Sequence, residues 1–595
     1  MRKIHVLIGL TVAATVLSTP AAQAAEPASP TCVLHYRITP HYERSPRALE
    51  VELEFPADDR RETFIRVMPS WAGVDDFAAA LTGWHGVGPG VTVAQAELPN
   101  RWRVDHPAGG TVRVAYSARA ALPDPDDGRP QDQAQMYRTQ IGADWFQFFG
   151  YGVLPSVEPW GDRTTPRQCV TVLQPGQPGA PAFSSLGTGQ GPATEWALQA
   201  SPERLRHAFY AGGPGWRLAE RRLASGPVHT AVRHKFQVED GRFADEVASL
   251  LDAHRRFWGD EQAAPQWVVL TPNFSAGDFG GTLVDHAAVL HAGADFGPGN
   301  SAFESLVGHE NLHQWIPHRF GSLAEGPAQQ VSDYWFSEGF TNYYTHRLLL
   351  ASALWSLPRY ADELTEVLQR YWRSPARNAT VASIAPRFFS DRDAGQQLYA
   401  RGELLAMRWD RILRRKQHDG LDTALKSLLI APGDAANRPL ASDHVLDGLT
   451  PWLGEQPRRD VHDFIDEGLD LPLDDAGLAG PCFTLGWRDE PRWVLGFSTD
   501  SFADRQVRGV QPDGPAHRAG LRNGARLSSW SIYGGDVSRD VELAIETTDG
   551  PPQTLRFKPV DGSSDHLPFV TTRPGAADEA ACRAWVRAAS PRPSS

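Results

Sequence analysis

Positions i and i+4 of a helix lie on one face, and His309-Glu310-Asn311-Leu312-His313 places two imidazoles at that spacing with a carboxylate beside the first. A zinc ion takes His nitrogen and carboxylate oxygen, and a catalytic zinc keeps one position for water. H-E-x-x-H therefore supplies two ligands and a general base. This stretch constrains the fold, because the segment has to be helical and the rest of the chain has to house it.

The local pattern agrees with a helix. Ser301-Ala302-Phe303-Glu304 has the form of a capping box, with Asn300 as an alternative cap. Phe303, Leu306, Val307 and Leu312 are its expected buried neighbours, and Trp315 follows directly. A second, aromatic helical segment is expected over 332–350, carrying Trp335-Phe336-Ser337-Glu338-Gly339-Phe340. A loop through Gly321 to Gly326 gives the chain room to turn, so Glu338 can complete a His2Glu set with His309 and His313. Glu310 is then the base that removes a proton from the attacking water rather than a ligand. The oxygen under attack becomes negative and needs a donor. On spacing alone Tyr399, one of 13 tyrosines, reads as a packing residue. Asn342 shares a helix face with Glu338 and either orients a ligand or packs. His318, His346 and the aromatic run from Trp145 to Tyr151 read as structural.

A chain of 595 residues is expected to form several domains. A net charge of −13 argues against a nucleic-acid partner. Arg2 and Lys3, the apolar run Ile4 to Leu17, and Ala22-Gln23-Ala24 form a signal-peptide pattern over 1–24. No Cys lies at the cleavage site, so a lipid anchor is not expected there, and no later stretch is apolar enough for a membrane span. The expected location is periplasmic or secreted. Four cysteines in an oxidising compartment imply two disulfides, and three pairings are open. Cys32–Cys169 with Cys482–Cys582 is preferred, since each bridge then stays inside one expected domain.

The fold class expected is multidomain α+β. Residues 25–238 read as an N-terminal β-sandwich. Leu49 to Phe55 alternates strictly, and Thr63 to Val67, Trp102 to Val104, Thr111 to Ala115, Cys169 to Leu173 and Val228 to Val238 look similar. Pro123 to Gln133 and Pro175 to Ala193 read as surface loops. Helical spacing dominates 239–478, and β character returns over 479–595, with a short helix expected near Cys582.

Three motifs together carry a resemblance. His309-Glu310-x-x-His313-x-Trp315, then Trp335 to Tyr344, then Tyr399-x-Arg401-Gly402, resemble the glycyl aminopeptidase family of gluzincin zinc metallopeptidases. The family combines an N-terminal β domain, a thermolysin-like catalytic domain and a C-terminal PDZ domain. The resemblance implies zinc on His309, His313 and Glu338, with Glu310 as base and Tyr399 stabilising the oxyanion. Arg401 stands where the family has Lys. It also implies substrate contacts from Gly280, Gly281, Asp285 and His286, in a longer form of the family's Gly-Gly-x-Glu-His segment. Asp285, in place of the family Glu, would hold the substrate's free amine, and His286 would donate to its carbonyl; a turn-capping Asp and a packed His are the other readings.

Val494-Leu495-Gly496-Phe497 and Gly514-Pro515-Ala516 through Gly524 resemble the carboxylate loop and helix of bacterial PDZ domains. A peptide ligand of that module is the implied partner, beside peptide substrates. The function implied is an exported aminopeptidase that removes small residues such as Gly or Ala. Alternatives are a zinc endopeptidase, a different zinc amide or ester hydrolase, and a non-catalytic peptide-binding protein.

Overall fold

Alternation builds the N-terminal part of the chain. The strand Ala48–Pro56 turns Leu49, Val51, Leu53 and Phe55 into the core and its glutamates outward. It pairs with Thr111–Arg119 on one side and His35–His41 on the other, in a six-stranded sheet. A four-stranded and a five-stranded sheet share the same core. A two-stranded hairpin, β1 (Ser70–Trp71) and β2 (Val74–Asp75), projects beside them. The computed structural model describes residues 32–586 except 72, 130, 132, 159, 161–167, 174–179, 189–194, 261–262, 275–278, 295, 298–300, 325–326, 417–418, 432–438, 475–479, 503, 547–551 and 574–578. The signal-peptide pattern, Asn300 and much of the 175–193 loop fall outside the described residues.

A second five-stranded sheet joins this part to the helices. Its strands are β3 (Trp216–Leu223), β4 (Gly226–Arg233), β5 (Gln266–Pro272), β6 (Phe279–Val284) and β7 (Ala287–Ala292), in the order β3-β4-β5-β7-β6. β5 lies parallel to both β4 and β7, while β6 folds back antiparallel at the edge. Residues on the two faces of β5 alternate between two cores. Trp267 and Val269 pack with the N-terminal sheets, and Val268 and Leu270 pack with the helices. β7 does the same, with Ala287 and Val289 facing one way and Ala288 and Leu290 the other.

This sheet spans the boundary expected at 238. The strand read as Val228 to Val238 is β4, it ends at Arg233, and it is a partner of β5 in this sheet. Parallel pairing across an intervening helix has no local sequence signature.

The helical part comprises α1 (Asp240–Trp258), α2 (Ser301–Leu312), α3 (Pro327–Ser337), α4 (Gly339–Ala351), α5 (Leu357–Arg373) and α6 (Arg392–Arg415), with smaller helices beyond. The single helix expected over 332–350 is two, divided at Glu338. At this division the helices meet α6 backbone to backbone. A Cβ at Gly402 would lie 1.8 Å from the Trp335 carbonyl oxygen, and one at Gly339 would lie 2.4 Å from the Gly402 Cα. Two glycines thus allow a crossing that any side chain would prevent.

The division expected at 478/479 does not coincide with a break in the core. β8 (Phe483–Trp493) pairs along its length with a distant strand, β12 (Val560–Thr572), and this ribbon lies on α5. Cys482, Phe483, Val570, Cys582 and Val586 belong to the helical core. Inserted between the two ribbon strands is a small module with its own core. Its sheet runs β9 (Leu527–Ser531), β10 (Val541–Ile545) and β11 (Gln553–Phe557), with a one-turn helix at Pro515–Arg518. Cys32–Cys169 and Cys482–Cys582 are both bonded, each with Cα atoms 5.8 Å apart. The second ties the ribbon to the last helix, α7 (Glu579–Val586). No helix among the described residues is long and apolar enough to cross a membrane.

Candidate metal centre

Packing fixes α2 in place. Phe303, Val307 and Leu312 face the core, and Gly308 lets the helix approach α4, where a Cβ would stand 3.0 Å from the Thr345 methyl. His309, Glu310 and His313 then face the junction of α3 and α4. His309 Nε2 lies 3.1 Å from Glu338 Oε2, and His313 Nε2 lies 3.6 Å from the same oxygen. One atom from each of the three residues falls within 4.8 Å of the others, the one such His/Cys/Asp/Glu cluster found among the described residues.

The remaining ring nitrogens are engaged. His309 Nδ1 is 2.8 Å from Asn342 Oδ1, and His313 Nδ1 is 2.9 Å from the Ile316 carbonyl. Both partners accept, so both Nδ1 atoms carry hydrogen and both Nε2 atoms are turned to the gap, where a cation would replace any Nε2 proton. Side chains of the triad are only 12–15 % exposed. Burial opposes charge on His313, yet the Glu338 carboxylate outweighs it and raises the imidazole to about 9. Burial likewise opposes ionisation of Glu338, which the two histidines reverse, holding it well below the usual carboxylate range. The cluster thus favours a positive charge at its centre, which suits a divalent cation.

Glu310 is buried, and desolvation raises its carboxyl above the ordinary range. It faces β6: a Cβ at Gly281 would approach the Glu310 Cγ to 3.0 Å. Tyr399, on α6, has its ring 6.1 Å from that of His309, in reach of the Glu338 charge. Burial, reinforced by Glu338 and Glu310, raises its phenol well above the ordinary value, so it keeps its proton and can donate. Arg401, two residues on from Tyr399 and so on the other side of α6, points elsewhere. It is fully buried and donates to the carbonyls of Arg377 and Ala379, which places it in the scaffold.

The structure thus brings His309, His313, Glu338, Glu310, Tyr399 and Gly281 together. Gly280 lies on the opposite face of β6, against His291. Asp285 has a different partner from the one expected. It sits in the β6–β7 turn at φ 48°, and its carboxylate takes both ends of the Arg204 guanidinium at 2.8 and 3.1 Å. That ion pair ties the carboxylate to a helix of the N-terminal part. His286 is hydrogen-bonded to Gln314 at 3.2 Å. Asn342 orients His309, one of its two sequence readings. The Ile316 carbonyl and Tyr137, which donates to the Gly281 carbonyl at 2.7 Å, were not singled out by sequence. Neither has a motif, since one is backbone and the other comes from a region distant in the chain.

Residues 302–408 match the family model described as M61 glycyl aminopeptidase. Over that span the chain is similar to the M61 family. All the residues of its His–His–Glu cluster, with Glu310 and Tyr399, fall inside the matched span. Among solved structures, an aminopeptidase N family protein from Idiomarina loihiensis is similar at 18% identity, with 93% of this chain and 100% of that chain covered and a TM-score of 0.66. At that identity the likeness shows a shared fold. A mutant M1 zinc metallopeptidase from Deinococcus radiodurans, bound to a Tyr-Ser-Ala substrate, is similar at 17% identity over 74% of this chain and 94% of that one, with a TM-score of 0.47. No curated protein matches the chain.

Proposed function

We propose that the M61-type domain is a zinc-dependent aminopeptidase that removes small residues, Gly or Ala, from the amino end of peptides. One observation carries this reading: His309, His313 and Glu338 converge with both Nε2 atoms turned inward, and Glu310 and Tyr399 flank them. The donor set fits zinc, two imidazole nitrogens and one carboxylate oxygen. When bound, zinc supplies Lewis acidity that acidifies a water and polarises the scissile carbonyl.

The chain's own residues do the rest. Glu310, with its basicity raised by burial, accepts the proton of the attacking water and returns it to the leaving amine. Tyr399, held protonated, donates to the oxygen that becomes negative. Asn342 and the Ile316 carbonyl keep the two imidazoles in the required tautomer. The preference for small residues rests on the description of the matched family. Two disulfides and the N-terminal signal pattern support export to the periplasm or beyond. The inserted module is read as PDZ-like, with a peptide as its ligand.

A zinc endopeptidase is the second reading, favoured by the ion pair that occupies Asp285. Kinetics on an alanyl peptide with a free amine and on its N-acetylated form separate the two. The aminopeptidase reading expects turnover of the free form alone, abolished by a chelator and restored by zinc. Equal rates on both forms would overturn it in favour of the endopeptidase.

A further inference from the structure

If Asp285 is committed to Arg204, something else must limit cleavage to one residue at a time. The geometry around β6 offers a physical barrier. β6 is the edge strand of its sheet, and an extended peptide can add to such an edge through its unpaired carbonyls and amides. At Gly281, beside Glu310, the carbonyl is already taken by the Tyr137 hydroxyl at 2.7 Å. Tyr137 also meets His291 edge-on at 5.8 Å, which keeps its ring against the sheet.

From Tyr137 a line of contacts crosses to the other wall of the centre. The Trp71 ring lies 5.3 Å from that of Tyr137. Trp71 belongs to the β1–β2 hairpin, which Arg138 holds by donating to the Asp75 carbonyl. Gly73, at φ 77°, seats the hairpin on Phe389, where a Cβ would come within 2.9 Å of the ring. Phe389 packs on Phe388 at 5.0 Å, and Phe388 stacks on Tyr399 at 6.3 Å. One side of the metal cluster is thereby linked to the other through the N-terminal part of the chain. Phe389 remains half exposed, as expected of a residue lining an opening rather than a core.

We propose that Tyr137, Trp71 and Phe389 form an arch that closes the amino-terminal end of the peptide channel. A peptide laid along β6 has to end where the arch begins. The arch admits one small residue ahead of the scissile bond and rejects N-acylated or longer amino ends by a wall rather than by a carboxylate. It rests on the aminopeptidase reading above and names its substrate class: short, unblocked amino ends led by a small side chain.

The test uses the zinc-loaded full chain and its Phe389→Ala and Tyr137→Phe variants. An alanyl peptide, its N-acetylated form and a form extended by one N-terminal Gly are the probes, with kcat/KM and product masses as readouts. Wild type should release single residues. Phe389→Ala should raise the acetylated-to-free kcat/KM ratio about tenfold or more and release dipeptide from the extended probe. Tyr137→Phe should move the ratio the same way by less, because it frees the Gly281 carbonyl but keeps the ring. A ratio unchanged in both variants, with melting temperatures intact, overturns the arch while leaving the aminopeptidase reading standing. Wild type that cleaves the acetylated probe as fast as the free one overturns both.

Discussion

Asn342 Oδ1 accepts the Nδ1 hydrogen of His309 at 2.8 Å, so the residue one helical turn after Glu338 orients another member of the proposed ligand set. α4 therefore supplies part of the geometry of α2. Asn342→Ala should weaken zinc affinity by about 10- to 100-fold. Competition with a metal-sensitive dye checks this, and an affinity equal to wild type would refute the orienting role.

Tyr399 is held protonated beside Glu338 and is in reach of the same reacting region. Tyr399→Phe keeps the ring and removes the donor. The expected loss is about 10²- to 10³-fold in kcat, with KM little changed. Steady-state kinetics on an alanyl peptide read both numbers.

The crossing of α3, α4 and α6 depends on Gly402, which has no room for a Cβ beneath the Trp335 carbonyl. Gly402→Ala should cost about 1–3 kcal/mol or more of stability. A lowered melting temperature, together with misplacement of Tyr399, is the expected outcome. A surface glycine such as Gly534, with open space around it and no positive φ, serves as the control.

His346 on α4 and Glu403 on α6 form a buried pair at 2.7 Å. Burial disfavours the imidazolium, but Glu403, with Glu363 behind it, outweighs burial and raises the His346 pKa above its ordinary value. The folded pKa is above the unfolded one of about 6.5, so the stabilisation is complete below that pH and is lost as pH rises through the folded value. Melting temperature should therefore fall as pH rises from about 6.5, and the slope should flatten in Glu403→Gln.

The centre was legible in the sequence wherever the chemistry is local. H-E-x-x-H needs only helical spacing, and Glu338 needs only a second helix close behind it. Asn342 was visible as a neighbour on one face, though its hydrogen bond to His309 crosses between helices. Tyr399 could be assigned only through resemblance, because one tyrosine among many carries no spacing signal. The ion pair of Asp285 was hidden for the opposite reason: its partner Arg204 lies far back in the chain, and nothing in a Gly-Gly segment shows it. The strands Leu49 to Phe55 and Thr111 to Ala115 were legible from alternation. The role of β4 was not, since its parallel pairing with β5 is set by tertiary contacts. The ribbon of β8 and β12 hid the insertion of the small module in the same way, and the two disulfides fell where the sequence preferred them.

The central claim is that Glu310 acts as base at a zinc held by His309, His313 and Glu338. Zinc content and turnover of a free-amine alanyl peptide, measured on wild type and Glu310→Gln, test it most directly. Both proteins should hold one zinc ion, and kcat should fall by about 10²- to 10⁴-fold in the variant. Equal turnover by two equally zinc-loaded proteins would contradict the account.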